Sequence, residues 1–503
     1  MRRFPTAILA MVLAAVMAAT AAAEVTLPVN GVSGAFDQPS VAMNGTDAHV
    51  AYIGAATTTG SFRVYYAAVN SGADFTNLLL ARDSILVTPP TEVVDAGGDV
   101  YADARHPRIA LRSSTEVVIF FQAKPSGPAD TAYLLYRALL TLDNNVVVSQ
   151  SVLQVDGVSP GNIEDVSFGL VAADNTARLA YANRTTTSPT APFQVFYARV
   201  GLDNATVVGP PLPLSSGNGD TFTGSDGYRP IPSLRLDGLN RSHVAWAAGD
   251  NSLINPGGIY YALVKEVSGQ DNVVIGATEI LGRTKRWAHP NVLVSSTSDI
   301  FVFAADESFP GVAGIVGWAE LNPDADNQDG SPVVIATNRS FLVQGPNLLS
   351  PSFDLLRPEV FLDTVGGRFL LTGYGGFGTS ATYYAIKTST AYPFATFQTL
   401  PASVGFNEYP TDLTGDYTKA AFGFPGGKVI IFWSGKVPGS NDRNLNMTTV
   451  PTVAAFIESK ESGCTFVRHS GRDGSAGTGG AVLLLLPVAA LAVLRIRRRF
   501  RTR

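Results

Sequence analysis

A unit of roughly sixty residues recurs seven times between residue 25 and about residue 445, and few folds accept such a chain. Each copy opens on an anchor that usually carries proline: Gln38-Pro39, His106-Pro107, Asp165-Val166, Arg229-Pro230, His289-Pro290, Arg357-Pro358 and Tyr409-Pro410. A turn and an apolar run follow, as in Ala48–Tyr52, Val117–Phe121, Ala177–Tyr181, His243–Trp246, Ile300–Phe303, Arg368–Leu371 and Val429–Trp433. A third run then ends in Tyr-Tyr-Ala or a close variant, at Tyr66, Tyr136, Tyr197, Tyr261, Trp318 and Tyr384. These runs are rich in β-branched and aromatic residues, which fit a pleated, half-buried surface. Between copies lies a further apolar run, such as Asn145–Val148 or Asn272–Ile275.

Four strands per unit, separated by Gly, Pro, Asn and Asp turns, predict an all-β chain. Radial repetition of four-stranded sheets removes most exposed edges, so the spacing predicts a seven-bladed β-propeller over residues 24–448. In that fold Val25–Val29 supplies a strand to the last blade and closes the ring, and the recurring aromatics become buried wedges between blades. A long stacked β-solenoid and a pair of β-sandwiches also satisfy the strand count.

The two ends carry different information. Residues 1–23 have the layout of a cleavable secretory signal, with Arg2-Arg3, an apolar stretch from Ala7 to Ala19, and Ala21-Ala22-Ala23 before the expected cut. Residues 449–480 read as a flexible linker containing Cys464, the one cysteine in the chain, so an intrachain disulfide and a cysteine-based zinc cluster are both excluded. Residues 481–503 read as a short transmembrane helix, Ala481–Leu494, followed by a basic tail that holds this end on the cytoplasmic side. The apolar run is shorter than the roughly twenty residues of an untilted span, so the arginines must snorkel or the bilayer thin. All 41 acidic residues lie between the two terminal segments with 28 of the 36 basic ones. That field disfavours nucleic acid and anionic membrane as partners of the exported region.

The tail resembles the C-terminal sorting signals of Gram-negative envelope proteins, in which a short motif, a membrane segment and an arginine cluster are read by an intramembrane protease. Gly479-Gly480 resembles the rhomboid-type signal, and Gly463-Cys464-Thr465 with Asp473 resembles the signals that contain a cysteine. The resemblance implies a cell-envelope or surface location, release after processing, and processing or lipidation at Cys464; a plain retained anchor is the alternative. The repeats resemble those of sialidase-like and related lectin-like propellers, and Tyr228-Arg229-Pro230-Ile231-Pro232 is similar to the sialidase motif whose arginine binds a sugar carboxylate. That likeness implies a carboxylate-binding role for Arg229. The Asp-box repeats of that family are missing, and Arg-Pro recurs at Arg357-Pro358, which argues for a repeat anchor rather than a single catalytic arginine.

One loop is a candidate metal site. Asp324-Ala325-Asp326-Asn327-Gln328-Asp329-Gly330 places Asp324, Asp326 and Asp329 around flexible turns, the kind of oxygen cluster Ca²⁺ takes. The loop is similar to the calcium loops of thrombospondin-type repeats over seven residues; an exposed acidic turn is the other reading. The five histidines have no partner at metal-ligand spacing, and His106 and His289 occupy equivalent repeat positions, which suits structural hydrogen bonding. No nucleophile or cofactor motif is present. The expectation is an exported, non-catalytic propeller that binds a glycan, a surface polymer or an envelope protein, with a sialidase-like hydrolase or lyase as the alternative. Convergent arginine and paired carboxylates in a central cleft are the feature that separates the two.

Overall fold

The computed structural model divides into two compact units, Met1–Phe456 and Ile457–Arg503, and the described residues all lie in the first. They are the strands named below, with connecting residues 61–62, 93–94, 114–115, 126, 132–133, 144–145, 155–158, 172–175, 191–192, 202–211, 214–216, 221, 230–232, 237–241, 249, 257, 268–269 and 282. Side-chain surroundings are described within residues 38–324. The expected signal, linker, Cys464 and membrane segment lie outside the described residues.

Every described element is a strand or a turn, as the repeat predicts. β1 (Glu24–Thr26) stands apart in sequence from sheet 1, which comprises β2 (Ala35–Asn44), β3 (Asp47–Ala55), β4 (Arg63–Asn70) and β5 (Leu86–Val87), with β6 (Thr91–Glu92) also on β4. Sheet 2 comprises β7 (Tyr101–Ser113), β8 (Glu116–Pro125), β9 (Leu134–Asp143) and β10 (Val146–Gln154). Sheet 3 comprises β11 (Asn162–Val171), β12 (Thr176–Arg184), β13 (Phe193–Gly201) and β14 (Leu212–Pro213). Sheet 4 comprises β15 (Ser233–Leu236), β16 (Ser242–Ala248), β17 (Gly258–Val267) and β18 (Gln270–Leu281). Sheet 5 comprises β19 (Trp287–Val294), β20 (Ile300–Asp306), β21 (Ile315–Asp326) and β22 (Pro332–Leu342). Sheet 6 comprises β23 (Leu355–Asp363), β24 (Arg368–Gly375), β25 (Ala381–Lys387) and β26 (Gln398–Thr399). Sheet 7 comprises β27 (Thr418–Phe424), β28 (Lys428–Lys436) and β29 (Arg443–Pro451), completed by β1 in the register Val25 opposite Met447.

All of these pairings are antiparallel, and the first strands of successive sheets are neighbours in the order β2, β7, β11, β15, β19, β23, β27 and back to β2. A cyclic succession of antiparallel sheets joined through their first strands is the arrangement of a β-propeller. The second and third runs read from sequence each lie within the corresponding strands of their sheets.

An inner strand has one edge without a ladder, and its N–H groups need other acceptors. Serine hydroxyls supply them: Ser40 Oγ accepts from Ile109 N of the next sheet at 3.3 Å, Ser167 Oγ from Leu234 N at 2.9 Å, and Ser233 Oγ from Val292 N at 3.0 Å. The proline anchors are explained in the same strands. Register breaks fall between Asp37 and Ser40, Arg105 and Arg108, Ile163 and Asp165, Ala288 and Asn291, and Leu356 and Glu359. Proline is tolerated at such bulges, where no ladder donor is missed. Arg357-Pro358 sits in one of them, as a repeat anchor should. Gln38, His106 and His289, each just before proline, adopt φ of 55°, 49° and 50°, a left-handed conformation uncommon for these residues.

The core lies between sheets. Tyr66, Tyr136, Tyr197, Tyr261 and Trp318 are all buried, as expected; the side chain of Tyr384 lies outside the described residues. Aromatic pairs stack across the second and third strands: Tyr52 on Tyr65, Phe121 on Tyr136, Tyr181 on Phe196, and Trp246 on Tyr260. Those pairs fix the equivalence of the repeats and show that Tyr136 matches Tyr65, while Arg137 matches Tyr66. Accordingly Tyr66 joins the cluster shared with sheet 2, whereas Tyr136 joins that same cluster from the other side.

Candidate functional site

Where first and third strands begin and second strands end, sheets 1 to 3 gather cations against aromatic rings. Antiparallel order brings these three termini of each sheet to one end, so residues far apart in sequence meet there. In sheet 2, Lys124 at the end of β8 lies 2.9 Å from Asp103 Oδ2 in β7, and Tyr133, just before β9, donates its hydroxyl to the same oxygen at 2.7 Å. Arg105 lies over the Tyr133 ring, its guanidinium carbon 3.4 Å from the centroid, and donates to Glu164 Oε2 at 2.8 Å and to Ile163 O at 3.1 Å in β11. Lys124 Nζ is 5.0 Å from the same ring centroid. Cations over aromatic faces gain from the ring quadrupole, most where water is scarce.

The neighbouring sheets repeat the motif. Arg63, opening β4, lies 5.4 Å from the Tyr101 ring centroid and 3.9 Å from Glu92. Arg184, closing β12, lies 4.1 Å from the centroid of Phe193, which opens β13. Arg184 has no acidic partner among the described residues, and its buried Nε has no hydrogen-bond acceptor. All four cation–aromatic contacts among the described residues thus fall at one end of three adjacent sheets.

Electrostatics fix the protonation of the central group. Burial pushes the Asp103 carboxyl upward, but hydrogen bonds from Lys124 and Tyr133 and the lysine charge outweigh it and hold the acid below its ordinary value of 3.8. The bond to Asp103 holds the Lys124 ammonium above its ordinary value. Burial, with the hydrogen bond to Asp103, pushes the Tyr133 phenol up. At neutral pH the trio is carboxylate, ammonium and phenol. Asp103 also has a φ of 46° beside a register break, and strained backbone of this kind concentrates at functional sites.

Of the candidate site residues singled out from sequence, Asp324 and Asp326 lie in sheet 5, away from this cluster, and the others lie outside the described residues. Arg229 lies outside the described residues; its neighbour Pro230 accepts from Ala247 N at 3.0 Å. Asp324, at the far end of β21, has both oxygens engaged by Arg241, with Nη1 on Oδ1 and Nη2 on Oδ2, the latter at 3.2 Å. The hydrogen bond from Arg241 holds its carboxyl below the ordinary carboxylate value. Asp326 closes β21 opposite Pro332, and Asp329 and Cys464 lie outside the described residues. Arg241 thus already neutralises Asp324. Among the described residues no group of three or more His, Cys, Asp or Glu side chains has metal-site geometry.

Sequence reading missed Arg63, Asp103, Arg105, Lys124, Tyr133, Glu164 and Arg184. Asp103-Ala104-Arg105 directly precedes the His106-Pro107 anchor, which was a usable hint. Lys124 and Tyr133 carried none, because only strand pairing brings them to β7.

No protein-family model matches the chain, and no curated protein does. Among solved structures, the chain is similar to a protein of unknown function from Dyadobacter fermentans, at 12% identity and a TM-score of 0.45 over 85% of this chain and 97% of that one. It is also similar to the endosialidase of phage phi92, at 8% identity and 0.43 over 91% and 72%, and to the parainfluenza virus 5 hemagglutinin-neuraminidase ectodomain, at 10% and 0.39 over 76% and 81%. At these scores the likenesses add nothing to the fold argued above from strand pairing.

Proposed function

We propose that the chain is an exported cell-envelope or surface protein whose seven sheets are the blades of one closed propeller, and that it binds a glycan, surface polymer or envelope protein without turning it over. The observation that carries this reading is the cation–aromatic cluster of sheets 1 to 3. Its groups are rigidly held on strand ends and offer donors and planar faces, as polar-ligand sites on propellers require. Its protonation suits a polar ligand: at neutral pH Asp103 is held as a carboxylate with the Lys124 ammonium beside it. The proposal extends to the termini: a cleaved signal at residues 1–23, a membrane segment at 481–494 read by a sorting protease, and processing or lipidation at Cys464.

The alternative reading, a glycan hydrolase, is favoured by one feature: Arg105 lies among two carboxylates, Glu164 and the neighbouring Asp103. A glycan-array screen beside a glycosidase panel distinguishes the two. The proposal expects binding that falls in Lys124→Ala and Arg184→Ala and no turnover in any variant. Hydrolysis by the wild type that vanishes in Glu164→Gln establishes the alternative.

A further inference from the structure

Each sheet has an outermost strand with one free edge, and such edges invite pairing with another chain unless they are short, kinked or charged. Six of the seven are blunted. β5, β14 and β26 have two residues each, and β1, the outer strand of sheet 7, has three. β18 and β22 each shift register three times against their neighbours, and they carry Asp271 and Glu279 in one case and Pro332 and Arg339 in the other.

β10 has almost none of these protections. Its nine residues, Val-Val-Val-Ser-Gln-Ser-Val-Leu-Gln, include no charge, proline or glycine. One register shift separates Val147 from Ser149, and pairing with β9 then runs unbroken from Ser149 to Gln154. Val146, Val148 and Leu153 are 49%, 60% and 37% exposed. Among the described residues β9 is the one strand that pairs with β10, so no described strand covers its opposite edge.

We propose that β10 is a self-association edge, pairing antiparallel with β10 of a second copy so that two four-stranded sheets become one of eight. Antiparallel pairing of a strand with itself is generated by a two-fold axis, and it closes at the dimer. Self-complementarity selects the second copy as occupant, because a neutral edge lets two copies of an acidic chain meet without opposing like charges. The chain carries a net charge of −5, so two copies repel through most of their surfaces, and a strand free of charge places no like charges opposite each other. Its serines, glutamines and aliphatic side chains are compatible with their own kind, and the two edge ladders satisfy each other.

Light scattering on the size-fractionated full chain tests this. The wild type is expected to have the mass of a dimer. Ser149→Lys and Leu153→Lys, each setting an ammonium into the seam from both copies, are expected to weaken association by roughly tenfold or more. Their circular dichroism spectra should match the wild type. Mixing Ser149→Lys with Ser149→Asp chains should restore the dimer, a result that lost folding would not give. A monomeric wild type at tens of micromolar overturns the proposal. So does a dimer that survives both lysine variants, because its contact must then lie elsewhere, for example in residues 481–494.

Discussion

Arg137 stands where sheets 1, 3 and 4 have Tyr66, Tyr197 and Tyr261, and it does their work with a charge. It is wholly buried, donates to Ser151 O at 3.3 Å and Asp203 O at 3.0 Å, and leaves Nε without a partner. Burial accordingly pushes its pKa down. Arg137→Ala strands two carbonyls and opens a cavity, and chemical denaturation should find it less stable by about 2–4 kcal/mol. Arg137→Met, which fills the space but strands the same carbonyls, should recover only the cavity part of that loss.

In sheet 4 the equivalent site is a relay. Asp237 accepts from Leu239 N and Arg241 N, each at 2.9 Å, and from Arg241 Nε at 2.5 Å and His243 Nε2 at 3.2 Å. A carboxylate can only accept, so Nε2 carries the proton and, in the neutral ring, Nδ1 accepts from the Tyr261 hydroxyl at 2.7 Å. Burial raises the Asp237 pKa, but these hydrogen bonds outweigh it and hold the acid far below its ordinary 3.8. A depressed folded pKa contributes stability that is complete above the unfolded value and is lost as pH falls through the folded one. Asp237→Asn should therefore cost roughly 3 kcal/mol at pH 7, with the gap to wild type narrowing once the pH drops below about 4. Denaturant titrations at pH 7, 4 and 3 read both effects.

At the scale of elements, the inner strands tolerate proline because they are bulged, and sheet 5 depends on a missing side chain. A Cβ on Gly317 in β21 would collide with the ring of Trp287 in β19. Trp287 is itself held by Nε1 donating to Gly282 O at 3.1 Å and has little room to retreat. Gly317→Ala should lower stability by about 1–3 kcal/mol, seen as a reduced thermal midpoint. Strand existence was legible at this scale. Val117–Phe121 and Ile300–Phe303 announced β8 and β20 through composition, and Asn145–Val148 announced β10. Face was less legible, because aligning Tyr136 with Tyr66 is a slip of one residue, and such a slip exchanges the two sides of a sheet. The candidate site was hardly legible, since Lys124 and Tyr133 reach Asp103 only through the β7–β8–β9 ladder. Arg229 and the Asp324 loop drew notice by local pattern, which says nothing of what folding brings beside them.

For the molecule as a whole, the proposed closed ring turns on one seam: Glu24–Thr26 completes the sheet formed by the last repeat. A closed ring would gather the first strands about one axis, while the succession of sheets 1 to 3 is what sets Arg63, Arg105, Lys124 and Arg184 at one end. Val25 and Met447 are directly opposed across that seam, and opposed residues of an antiparallel pair lie within reach of a disulfide. With Cys464→Ser removing the native thiol, Val25→Cys combined with Met447→Cys should oxidise to an intramolecular bond. The oxidised protein should melt at a higher temperature than its reduced form, because the cross-link restrains the unfolded chain. Failure of the two thiols to join within one chain, or a bond that lowers the melting temperature, would contradict the closed ring.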